Sequence, residues 1–149
     1  MIDEPEDSNI QKNNEVSDEL NEENLLISQR RKKLQEIRLE GGNPFANRFA
    51  ISHQIKEISE KFSSFSKEEL EEEKEKSYTV AGRILAKRLQ GKVIFMDLRD
   101  GTGKLQLFVR QKDLGEAGFE KMKGLDIGDI AGVEGGIFKT KTGELSVWV

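Results

Sequence analysis

Residues 92–110 read KVIFMDLRDGTGKLQLFVR, and their alternation decides the fold. Ile94, Met96 and Leu98 share one parity before the turn signal; Leu105, Leu107 and Val109 share one beyond it. A period of two over both runs marks a pair of half-buried strands. Asp100-Gly101 suits a type I′ hairpin, in which both central residues take φ > 0. That turn places Ile94 against Leu107 and Met96 against Leu105 on the inner face. Phe95 then faces Gln106, Asp97 faces Lys104 and Val93 faces Phe108 on the outer face. The neighbouring DGTG can also hold a bulged three- or four-residue turn, so the parity is fixed more firmly than the register. On the outer face an aromatic ring beside an amide, with Lys104 and Arg110 on the same side, suits stacking one base and reading its edge. A single exposed Phe is also ordinary at a protein surface.

Strand signals continue on either side. Tyr78, Val80, Gly82, Ile84 and Ala86 alternate with Thr79, Arg83 and Lys87, and Gly82 in mid-strand suggests a bend or bulge. Residues 113–124 read as a short helix with Leu114, Phe119 and Met122 inward. Gly128-Asp129 then turns into a strand over 130–139, and Thr142-Gly143 into another over 144–149. Three strands, a helix and two further strands are the plan of an OB-fold, whose second and third strands form the oligonucleotide-binding face. The fold class is therefore α+β, mainly β: a five-stranded antiparallel OB barrel over 77–149, its last strand expected to be truncated at Val149.

Helices precede it over 21–76. Asn21 is the expected N-cap of a helix carrying Leu26, Leu34 and Ile37, with Gly41-Gly42 as its stop. Arg30 to Lys33 are four consecutive cations, suited to a solvated surface or to phosphate contacts. Asn43-Pro44 opens an irregular link. Ser52 is the expected cap of a helix with Ile55, Ile58 and Phe62, and Ser66 with Glu69 has the capping-box spacing. The Glu-rich run over 68–75 reads as a solvated helix face, because it lacks the Gly turn and interleaved Asn/Asp of a calcium loop. Residues 1–20 hold too few apolar side chains to offset chain entropy and are expected to be a disordered acidic tail.

Composition narrows the function classes. The 149 residues carry a net charge of −4. Residues 1–24 hold nine acidic side chains and one lysine. Residues 25–149 are therefore net positive, which removes the charge objection to a nucleic-acid partner. No cysteine is present, so disulfides, thiolate metal sites and thiol nucleophiles are excluded. His53 is the one histidine and has no metal-binding companion. The glycines at 132, 135 and 136 lie in a strand pattern without the Lys-Ser/Thr of a phosphate loop. No Ser-His-Asp set and no credible carboxylate pair is found. No catalytic residue, metal ligand or cofactor site is expected in this chain. No apolar run reaches membrane-spanning length and no signal peptide is seen, so the cytoplasm is expected.

Residues 25–149 resemble the N-terminal anticodon-binding region of bacterial lysyl-tRNA synthetases. The residues that carry the resemblance are FKTKTGELSV at 138–147, VAGRI at 80–84, DLGEAGF at 113–119, LDIGDIAGV at 125–133, QRRKKL at 29–34 and NPFANRF at 43–49. Ala46 departs from the family, where Pro is common. The resemblance implies a class II synthetase whose OB domain grips the anticodon loop of lysine tRNA. It implies Phe95 as the ring that stacks on the central base, Gln106 as its reader, Glu144 as a contact to a neighbouring base and Arg88 as a basic contact. ATP and Mg2+ are implied for the full-length family, as is a homodimer. The catalytic motifs of that family are absent, so the chain is expected to be its tRNA-binding part, truncated before the catalytic domain. A free-standing RNA-binding OB protein is the alternative, and a protein-interaction module is a third reading.

Overall fold

The computed structural model describes residues 7–149, with side chains from Leu20 onward. It divides into two compact units, one ending at Arg48 and the other spanning residues 49–149. Helices α2 (Ile55–Phe62) and α3 (Glu71–Lys74) thus belong to the barrel unit rather than to a separate helical extension.

In the first unit, helix α1 runs from Asp7 to Leu39. Residues 7–20, expected to be disordered, form its start, and Asn21 lies inside it rather than capping it; residues 1–6 lie outside the described residues. No Gly or Pro interrupts 7–39, and its many Glu, Gln, Lys, Arg and Leu residues favour helix. Leu25 and Leu26 stay exposed, while Leu34 and Ile37 are half-buried. Gly41, at φ 78°, ends the helix. The Gly42 and Gly41 amides donate to the Ile37 and Arg38 carbonyls at 2.9 and 3.1 Å, the paired bonds of a Schellman cap.

The second unit is an OB barrel. Its strands are β1 (Tyr78–Gln90), β2 (Val93–Arg99), β3 (Lys104–Arg110), β4 (Ile130–Lys139) and β5 (Leu145–Trp148), with α4 (Gln111–Lys123) between β3 and β4. They close in the order β1-β2-β3-β5-β4. Four pairings are antiparallel; β3 with β5 is parallel, where an all-antiparallel barrel was expected. Strand β1 is long because it pairs with β4 over its first half and β2 over its second. The register jumps between Ile84 and Ala86, so the bulge falls at Leu85. Gly82 serves a different purpose: a Cβ there would lie 2.4 Å from the Arg99 carbonyl oxygen.

The hairpin keeps the expected parity but not the expected register. Met96 pairs with Leu107, Leu98 with Leu105, Phe95 with Phe108 and Asp97 with Gln106. Gly101 has no positive φ, so the type I′ turn is absent, and residues 100–103 form a four-residue loop. Asp100 accounts for the difference. Its Oδ1 accepts from the Thr102 amide and hydroxyl and the Gly103 amide, and its Oδ2 accepts from the Ile55 amide at 2.9 Å. The loop therefore caps the start of α2, which also receives Thr102 Oγ1 at the Lys56 amide. Burial pushes the Asp100 carboxyl up, but these hydrogen bonds outweigh it and hold the group below its ordinary value.

Ile94, Met96 and Leu98 of β2 and Leu105, Leu107 and Val109 of β3 are 0–3% exposed. They join Val80, Ile84, Ile137 and Val147 of the other strands, Phe119 of α4, and Ile55, Ile58 and Phe62 of α2 in one core. Each fully buried aliphatic side chain contributes about 1.5–3 kcal/mol. The N-cap of α2 is Gln54 rather than Ser52. Ser66 and Glu69 do form the expected reciprocal box, at 2.6 and 3.2 Å, one turn before α3. In that run Glu73 is buried, not solvated.

Candidate nucleic-acid interface

Because β2 and β3 send one parity inward, the other parity projects from the barrel. Phe95 and Phe108 are cross-strand neighbours there, ring centroids 5.3 Å apart. The parallel β3–β5 pairing sets Phe108 beside Trp148 at 5.2 Å, and β4 adds Phe138 at 5.2 and 5.0 Å from those two rings. Tilted and edge-on contacts of this kind suit the ring quadrupoles. The four rings line an open groove of about 650 Å³. The β4–β5 turn and α3 complete it through Lys139 to Thr142 and Lys74.

Three of the six expected site residues line this groove: Arg88, Phe95 and Gln106. Arg88 is the cross-strand partner of Phe95 in β1, and its guanidinium carbon lies 5.5 Å above that ring. Such an exposed cation–π contact is worth about 0.5–1 kcal/mol, so the guanidinium can yield to a base. Gln106 is diagonal to Phe95 rather than opposite it, because of the register. It is buried, and its Nε2 donates to Ser146 Oγ at 3.0 Å, while Ser146 Oγ donates to the Glu144 carbonyl at 3.2 Å. One short chain thus orients the amide and joins it to the turn that carries Glu144. Glu144 itself is exposed. Its turn is closed by the Thr140 amide to the Glu144 carbonyl at 3.0 Å and by Gly143 at φ 87°.

Lys104 and Arg110 are not brought into the groove lining. Lys104 pairs with Asp97 at 3.3 Å near the hairpin loop. Arg110 makes a two-bond contact with Asp113 at 2.6 and 3.0 Å and lies 4.3 Å over the Trp148 ring. The Trp148 indole nitrogen donates to the same carboxylate at 2.9 Å. The Arg110 guanidinium, followed by burial in the opposite sense and the indole bond, leaves the Asp113 carboxyl below its ordinary value. Both cations serve the domain's own carboxylates.

Sequence reading missed Phe108, Phe138, Ser146, Trp148 and Lys74. The signal for two of them was present. In FKTKTGELSVWV (138–149), Ser146 and Trp148 share the parity opposite to Leu145 and Val147, which assigns both to the outer side of the strand, where Ser146 is covered beside Gln106. Phe108 was misplaced by the register, and Lys74 was hidden in an acidic run.

Two chemical features define the groove. Its floor is aromatic, which suits the faces of unpaired bases. Among the described residues that line it, Lys74, Arg88, Lys139 and Lys141 are cations and none is a carboxylate. Lys139 is committed, donating to the Ser63 and Phe65 carbonyls at 2.8 and 2.6 Å.

Comparison with known proteins bears on the same residues. Residues 78–149 match the OB-fold nucleic acid binding domain family of the tRNA anti-codon type. Lysine–tRNA ligase of Halalkalibacterium halodurans is 44% identical over 126 residues, 85% of this chain and 25% of the relative. That of Oceanobacillus iheyensis is 45% identical over 132 residues, 89% of this chain and 26% of the relative. That of Staphylococcus haemolyticus is 43% identical over 134 residues, again 89% and 26%. The chain spans about a quarter of the length of the relatives it matches. Residues 78–149 are thus an anticodon-binding OB-fold domain, and most of the chain is 43–45% identical to part of bacterial lysine–tRNA ligases.

Proposed function

We propose that this chain binds the anticodon loop of lysine tRNA as part of a lysine–tRNA ligase. The carrying observation is the aromatic groove, rimmed by cations and free of carboxylates in its lining, on the outer face of the barrel. In this reading the central anticodon base stacks on Phe95 and presents its edge to the Gln106 amide. Glu144 meets a neighbouring base from the β4–β5 turn, and Arg88 moves from the Phe95 ring to the RNA backbone. Lys104 and Arg110, paired with Asp97 and Asp113, would meet the RNA only by exchanging those carboxylates for phosphates.

Attachment of lysine with ATP and Mg2+, dimer formation and a cytoplasmic location are proposed for the whole protein. Among the described residues no group of three or more His, Cys, Asp or Glu side chains could hold a metal ion. No Mg2+ step is therefore assigned to them. We take these 149 residues to supply tRNA binding and not, by themselves, the ligation chemistry. No described helix is long and apolar enough to cross a membrane.

The test is binding of the chain to lysine tRNA and to the same tRNA with an exchanged anticodon, over a range of salt. The expected result is a preference for the native anticodon. Affinity for both tRNAs should fall as salt rises, with a slope of about −0.7 in log–log terms per phosphate neutralised on single-stranded RNA. Equal affinity for the two tRNAs would leave an RNA-binding OB domain without anticodon recognition. A flat salt response would sink RNA binding at this face.

A further inference from the structure

We infer that Lys74 of α3 contacts an RNA phosphate at the Trp148 end of the groove, complementing Arg88 at the Phe95 end; this rests on the anticodon-binding reading. The aromatic floor runs from β2 through β3 to β5, the order in which these strands neighbour one another. A cation stands over each terminal ring: Arg88 5.5 Å from the Phe95 centroid, Lys74 Nζ 5.2 Å from that of Trp148. A strand of bases laid on the rings must carry its backbone past one or both ends of the row. Lys74 lines the groove. Its partner is Glu71, at 3.2 Å, whose side chain is 64% exposed. The Lys74 side chain is half-buried but its partner carboxylate is open to solvent, and an ion pair of that kind is weak, so exchange of the carboxylate for a phosphate costs little.

The fold holds Lys74 in place by devices that do not involve its ammonium. Leu70, just before α3, is 1% exposed in the core. Glu73 is buried and accepts from the Tyr78 hydroxyl and from Lys76 Nζ. Burial, then this bond to a carboxylate, pushes the Tyr78 phenol up to about 12, so the latch is intact throughout the neutral range. On the barrel side, a Cβ at Gly136 would lie 2.0 Å from the Lys74 carbonyl oxygen. Glycine there lets α3 lie directly against β4. This four-residue helix is fastened through Leu70 and Glu73 and by the close approach of β4 at Gly136, and it presents the Lys74 ammonium to the groove.

Fluorescence anisotropy of a labelled lysine-type anticodon stem-loop, titrated with the whole chain, tests the assignment. Lys74→Gln should weaken binding roughly fourfold at low salt and shrink the log–log salt slope by about 0.7, the share of one single-strand phosphate. The loss should be the same for a stem-loop with its central base changed, because phosphate contacts carry no sequence information. Lys74→Arg should restore the slope. Acetylation of Lys74 in the unsubstituted chain, followed by mass spectrometry, should slow several-fold when RNA is bound. An unchanged slope in Lys74→Gln together with unaltered acetylation overturns the inference while the anticodon reading stands. Failure of the unsubstituted chain to tell the two stem-loops apart strikes the anticodon reading instead.

Discussion

Phe95→Ala should cost about 1–3 kcal/mol of RNA affinity, roughly 5- to 150-fold, the range measured for removing one ring from under a stacked base. The folded chain should survive it. Phe95 belongs to the outward parity of β2 and is half-buried, while its sequence neighbours Ile94 and Met96 are 0–1% exposed in the core. Within the protein the substitution removes a tilted contact with Phe108 and the guanidinium above the ring. The ring–ring contact is worth about 0.5–1.5 kcal/mol, a tolerable loss for a domain with a continuous core. Phe95→Tyr keeps a face for stacking and should retain most of the affinity. Anisotropy titration and thermal unfolding of the same samples separate the two effects. Global unfolding of Phe95→Ala would place the ring in the core and remove it from the interface.

Gln106→Ala should change selectivity more than affinity. Its Nε2 is held by Ser146 Oγ, so the amide is oriented before RNA arrives, and pre-organised polar groups lose less on binding. Removing it should flatten the preference for the native central base by about 1–3 kcal/mol, while affinity for a changed base barely moves; edge contacts specify and phosphate contacts do not. Ser146 Oγ retains the Glu144 carbonyl as partner, so the variant leaves no orphaned hydroxyl and should fold. Ser146→Ala frees the amide without removing it, and should give a smaller loss of the same kind. Gln106→Ala with undiminished discrimination would show that another group reads the base.

These variants depend on details that the sequence exposes unevenly. The parity of both central strands is legible because it is local: six buried apolar residues recur at every second position over 94–98 and 105–109. The register is not. It is set by a loop whose Asp100 bonds to the Ile55 amide, 45 residues away, and no short-range turn rule contains that contact. The two-residue error moved Phe108 from beside Phe95 to beside Val93, and so concealed an aromatic row behind one exposed ring. Charge was misleading for a related reason. Arg110 looks like a free cation in sequence, yet Asp113 folds onto it, and Lys104, which faces Asp97 in the expected register, pairs with it from a diagonal position. Conversely, the acidic run at 68–75 looks like a solvated face, yet Glu73 is buried and Lys74 lines the groove. The start of α1 was missed because composition reports what a segment can bury, and α1 leaves Leu25 and Leu26 exposed to solvent.

In the proposed complex the anticodon lies on the outer face of β2, β3 and β5. Photo-crosslinking tests it most directly. A lysine-type anticodon stem-loop carrying a photoreactive uridine at its central position is bound to the chain, irradiated, and the attached peptide is sequenced. Attachment within 93–99 or 104–110, at or beside Phe95 and Gln106, is the predicted result, and unlabelled stem-loop should compete it away. Attachment confined to α1, or to β-strand residues of the inward parity, would contradict that placement.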